Sequence, residues 1–155
     1  MSQKFTGGCL CGAIRYETTA APIESYLCHC RICQRHTGSA FWAGVRFPME
    51  GFRYTNGMPS YFNSSPLIRR GFCIACGSTL EVSYVDPPWD DYEQGYEMAL
   101  GSLDDPGELT PSYHFGAESM WDWVHFDGAI PRQRCDEDMD LQAALSDADF
   151  KSRTP

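Results

Sequence analysis

The spacing of eight cysteines constrains this chain of 155 residues more than any other feature. They fall as Cys9-x-Cys11, Cys28-x-Cys30-x-x-Cys33, Cys73-x-x-Cys76 and a solitary Cys135. Cysteines one or two residues apart seldom pair with each other as structural disulfides, because so short a ring strains the bond. A metal needs the opposite, thiolates already close together, and zinc suits this donor set best. A closed zinc wants four ligands in a tetrahedron. Cys9 and Cys11 supply two, and Cys73 and Cys76 supply two more from a distant strand end. Joining such remote positions makes metal binding part of folding. The Cys73-Ile74-Ala75-Cys76-Gly77 run reads as a zinc knuckle in which Gly77 takes a positive φ.

Cys28, Cys30 and Cys33 form the second group. Three protein ligands leave the fourth zinc position to water or substrate, as catalytic sites do. Closed alternatives are Cys135 or the imidazole of His29, His36, His114 or His125. A lone cysteine is more often a small buried hydrophobe. His29 alternates with two cysteines on an extended segment and should point away from the metal. His36 follows Cys33 by three residues, on the same helical face, and is the best partner for the site. Cys33 lies near a helix start, where free N–H groups favour a thiolate.

The length suits one domain, expected over residues 1–135 with an acidic tail at 136–155 that forms a short helix or is mobile. No stretch approaches the ~20 apolar residues of a membrane span. The first nine residues lack the apolar core of a secretory signal, so a cytoplasmic location is expected. The formal charge of −9 argues against nucleic acid or an anionic membrane as partner. It is unevenly spread. Residues 25–80 hold six arginines (Arg31, Arg35, Arg46, Arg53, Arg69, Arg70) against Glu50 alone, and five of the cysteines. Those cations compensate thiolates or line a pocket for an anionic substrate.

Short apolar runs broken by Gly, Pro, Asn and Ser indicate β structure. Strands are expected at 5–9, 13–18, 25–28, 40–47, 52–56, 60–63, 68–73, 79–85 and 97–103, with Asn56-Gly57 as a turn between two of them. A helix is expected at 32–37, stopped by Gly38, and further helical turns at 118–124 and 141–150. Residues 86–91, with paired prolines and acids, read as a loop. Trp89 and Tyr92 beside it are either a partner surface or loop packing.

The segments Gly8-Cys9-Leu10-Cys11-Gly12, Cys28-His29-Cys30-Arg31-Ile32-Cys33-Gln34-Arg35-His36-Thr37-Gly38 and Phe72-Cys73-Ile74-Ala75-Cys76-Gly77 resemble the glutathione-dependent formaldehyde-activating enzyme family. His114-Phe115, Trp121 and Ile130-Pro131 are similar to its C-terminal signature. The resemblance implies a mainly β, Mss4-like β-tent of antiparallel sheets pinned by zinc, with one or two short helices. It implies two Zn²⁺ per chain, a structural one on Cys9, Cys11, Cys73 and Cys76 and a catalytic one on Cys28, Cys30 and Cys33. It also implies a carbon–sulfur lyase that adds glutathione, or a similar small thiol, to formaldehyde or another small aldehyde. In that reading His36, Arg35 or Ser39 orients substrate or donates the proton, and Arg31, Arg69 and Arg70 hold a thiol's carboxylates. The alternative is a zinc-stabilised module that only binds a small molecule or a protein. Oligomeric state is not legible.

Overall fold

The computed structural model describes residues 4–89, 92–107, 109–126 and 131–146. Expectations for Asp90, Asp91, Ile130 and the tail beyond Ser146 lie outside these residues. The chain is mainly β, with two short helices, as expected. Its strands are β1 Phe5–Gly8, β2 Arg15–Thr18, β3 Glu24–Cys28, β4 Trp42–Pro48, β5 Phe52–Asn56, β6 Ser60–Asn63, β7 Ile68–Phe72, β8 Thr79–Tyr84, β9 Gly95–Ala99, β10 Tyr113–Phe115 and β11 Arg132–Gln133. The helices are α1 Arg31–Thr37 and α2 Met139–Leu145. Among the described residues no helix is long and apolar enough to cross a membrane.

A three-stranded sheet runs β1-β2-β5, and an eight-stranded sheet runs β11-β10-β3-β4-β9-β8-β7-β6. Most pairs are antiparallel, but β10 runs parallel to both β3 and β11. These two strands were not anticipated, since three and two residues are too few to show a period. Gly57 takes a positive φ, yet Asn56-Gly57 joins no hairpin: β5 closes the small sheet and β6 ends the large one. The strand expected at 97–103 starts earlier and breaks after Ala99 into a 3₁₀ turn, Leu100–Ser102. A second such turn, Ala117–Ser119, stands where helical turns were expected over 118–124.

Alternation along β4 assigns the two faces of the large sheet. Val45 and Phe47 join Phe5, Tyr16 and Phe52 of the small sheet in the main core. Trp42 of the opposite parity packs with Tyr26, Cys28, Cys33 and Val82. The three-thiol group therefore sits on the face turned away from the small sheet. Helix α2 covers part of that face. Its Asp138 cap accepts from the Leu141 amide at 2.9 Å and from the Trp89 indole at 3.2 Å, and Leu141 is buried. Burying one such leucine stabilises the docked helix by roughly 1.5–3 kcal/mol.

Candidate metal centres and the cavity beside one of them

Two groups of thiols converge, and they are the two the cysteine spacing separates. The Sγ atoms of Cys9, Cys11, Cys73 and Cys76 all lie within 4.8 Å of one another, as do those of Cys28, Cys30 and Cys33. Among the described residues no fourth Cys, His, Asp or Glu joins the second group.

Two loops build the first group. Beyond β1, the Cys9 amide donates to Ile14 O at 3.0 Å and Gly12 N to Cys9 O at 3.1 Å, closing a tight turn around Cys11. Beyond β7, Gly77 N returns to Cys73 O at 2.8 Å, with Gly77 at φ 74°, a conformation other residues resist. Leu10 N donates to Ser78 Oγ at 3.0 Å and so ties loop to loop. The Ile14 amide points at Cys9 Sγ from 3.2 Å, and the Ser78 hydroxyl lies 3.1 Å from Cys76 Sγ. Those Ser78 contacts hold Cys76 down at about 6. A tetrahedral zinc with bonds of about 2.3 Å sets its sulfurs about 3.8 Å apart. Cys9–Cys11 at 3.6 Å and Cys11–Cys73 at 3.8 Å match that edge. The donor set and the spacing fit zinc, and the ion would clamp the small sheet to the end of the large one.

The second group comes from a single turn. Cys28 ends β3 and Cys30 caps α1, its Sγ accepting from the Cys33 amide at 3.4 Å. Gly38 stops the helix at φ 65°, its N–H on Gln34 O. Cys28 and Cys30 sulfurs stand 3.5 Å apart, again close to a tetrahedral edge. Hydrogen bonds from the Cys28 and Cys33 thiols, then the Cys33 amide, hold Cys30 well below the ordinary thiol range. Arg70, 2% exposed, directs Nη1 at Cys33 Sγ from 3.6 Å and Nε at Ser64 Oγ from 3.0 Å. Burial opposes its charge, but the Cys33 and Cys30 sulfurs outweigh this and raise its pKa.

The thiols open onto a cavity of about 330 Å³. Its walls include Tyr26, Tyr84, Tyr113 and Phe115, and Leu141 of α2 closes one side. Tyr26 stacks on Tyr113 with ring centroids 5.5 Å apart. Trp89 and Tyr92 pack on Tyr84 and line the same cavity, which makes them packing residues. Cys135 also faces the cavity without joining the three thiols, and burial raises its pKa.

The other named residues scatter. Arg35 is exposed on α1, as is Ser39 just beyond it, and neither lines the cavity. Arg31 is bonded to Gln34, and Arg69 lies over the Tyr61 ring at 4.3 Å. His36 stands clear of the cavity near Trp42, with Nε2 buried and unpartnered among the described residues; burial, then Arg70, lower it to about 4. His29 points away from the thiols, Nε2 meeting His114 Nδ1 at 2.8 Å, and burial lowers it to about 4. Arg70 was the residue to single out: in β7 it shares parity with Ile68, which packs on the thiol face, and this turns it inward.

A family model described as glutathione-dependent formaldehyde-activating enzyme matches residues 4–119. A protein of Halomonas elongata, provisionally named a glutathione-dependent formaldehyde-activating enzyme, is 28% identical over 139 residues, covering 83% of this chain and 84% of its own. A crystal structure of a Rhodobacter sphaeroides protein is similar at 17% identity and a TM-score of 0.45, over 83% of this chain and 99% of that one.

Proposed function

This chain belongs to the glutathione-dependent formaldehyde-activating enzyme family, and from that premise we propose that it adds a small thiol to formaldehyde or a similar aldehyde in the cavity beside Cys28, Cys30 and Cys33. The observation that carries this reading is the contrast in donor number. Four thiols meet at one centre, whereas three meet at the other and face a cavity. Zinc bound by the three would supply a Lewis acid that lowers the pKa of a neighbouring thiol from its usual ~8.5.

The chemistry is an addition with no change of oxidation state. The thiol loses its S–H proton, a sulfur lone pair forms the C–S bond, and the C=O π pair moves to oxygen, which takes up a proton. The chain's part is to bind, orient and supply that proton. Cys28, Cys30 and Cys33 fix the reacting end of the cavity. Arg70 balances the negative charge that their sulfurs carry. The proton comes from a cavity hydroxyl rather than from Arg35, Ser39 or His36. Tyr84 fits best: it lines the cavity and makes no side-chain hydrogen bond among the described residues, and burial, then the charges of Glu97 and Cys28, raise its pKa and keep its proton in place until the alkoxide forms.

The test is adduct formation from thiol and formaldehyde, followed by NMR with the uncatalysed rate subtracted. Acceleration by the zinc-loaded protein that is lost in Cys30→Ser supports the reading. No acceleration with any thiol leaves a zinc-braced binding module.

A further inference from the structure

A thiol bearing carboxylates needs free cations where it binds, and the cavity offers few. Among the described residues two arginines line it, Arg46 and Arg70. Arg70 is committed to Cys33 and Ser64. Arg46 sits in register between Glu24 of β3 and Glu97 of β9. Its Nη2 is 2.8 Å from Glu24, and its guanidinium lies over the Tyr92 ring at 4.6 Å. Glu24, Glu97 and Asp138 all line the same space. Away from the sulfurs the cavity thus holds, among the described residues, three acids against one cation, paired through Nη2 and with its buried Nε unpartnered. Asp138 is satisfied by Leu141 and Trp89.

Glu97 is different. It is 3% exposed, and its partners are hydroxyls: Tyr92 donates to Oε1 at 2.7 Å and Tyr26 donates to Oε2. No cation is within ion-pair distance among the described residues. Each oxygen keeps a lone pair to spare, and a buried carboxylate that forms no ion pair is costly. Burial raises its pKa, opposed by the two tyrosines and Arg46. A ligand that donates N–H bonds, or carries positive charge, would relieve that cost. The remaining walls are mostly aromatic and aliphatic, and 330 Å³ is at the small end for ligand cavities.

Resting on the thiol-addition reading above, we propose that the cavity selects a compact thiol whose far end is cationic or donates hydrogen bonds to Glu97, and that it disfavours carboxylate-bearing thiols, glutathione included. The zinc-loaded protein is titrated calorimetrically, without aldehyde, with 2-aminoethanethiol, 2-mercaptoethanol and 3-mercaptopropionate, which are similar in size, and with glutathione. Adduct formation with formaldehyde is measured for each in parallel. A hydrogen bond to a charged group predicts that the amine binds at least about tenfold more tightly than the carboxylate. Glu97→Gln should compress that ratio to within about threefold, and Glu24→Gln should compress it less. Each ratio is read within one protein, so an overall loss of stability cancels. Equal or tighter binding of 3-mercaptopropionate or glutathione, no binding of the amine, or an unchanged ratio in Glu97→Gln overturns the proposal. Selective binding without acceleration removes the lyase reading and leaves the selectivity; acceleration without selectivity does the reverse.

Discussion

The group at Cys9, Cys11, Cys73 and Cys76 draws its sulfurs from two loops far apart in sequence, whereas Cys28, Cys30 and Cys33 come from one strand end and the helix turn after it. The first group is surrounded by backbone amides and Ser78, and it bridges the two sheets. The second is backed by a buried guanidinium and opens onto an aromatic cavity. The difference is one of long-range closure. An ion in the first centre would fix the relation of two sheets, so its binding energy is folding energy. An ion in the second would fix only a local turn that β3 and α1 already hold, leaving its free side available for chemistry.

The sharpest way to break this contrast is to remove one sulfur from each group. Cys73→Ser should abolish cooperative folding, seen as loss of the thermal transition by circular dichroism. Structural zinc contributes roughly 10–16 kcal/mol in small sites, as much as a domain's whole stability. Cys30→Ser should keep a cooperative transition, lowered by several degrees, while thiol addition falls to the uncatalysed rate. Equal collapse of both variants would erase the distinction. A smaller effect is expected from Arg70→Met. Loss of a charge partner to the sulfurs should weaken zinc at the second centre by roughly 10–100-fold in chelator competition, with the first centre unchanged.

The smallest effect tests whether charge, rather than metal, ties the sheets. Asp104 lies beyond the large sheet's β9 and is paired with Arg15 of β2, and it accepts from Thr6 of β1 at 2.6 Å. Arg15, then Thr6, holds its pKa below the ordinary carboxylate range, so its contribution is complete above that range and is lost as pH falls through the lowered value. The pair is largely exposed, so Asp104→Asn should cost less than about 1 kcal/mol at pH 7, with melting curves of the two proteins converging as acid protonates the Asp104 carboxylate.

Local signals made the cysteine groups legible, because a metal site needs its donors at short, fixed intervals. Gly38 and Gly77, where the backbone must take positive φ, were legible for the same reason. Strand positions followed from apolar runs; pairing did not. The Asn56-Gly57 turn gave no hint that β5 and β6 enter different sheets, and Tyr113–Phe115 was too short to register. The Glu24–Arg46–Glu97 row needs three strands in register before it exists at all. Proximity in sequence favoured Arg35, next to the thiols along the chain, over Arg70, which reaches Cys33 across the fold.

Four thiols gather at one centre and three at the other among the described residues, and zinc-edge X-ray absorption reads this difference directly. With two zinc per chain, the account predicts an average of about 3.5 sulfurs per zinc, rising toward 4 when a small thiol is added. An average of 4 before any thiol is added, or no change after it, would contradict the account.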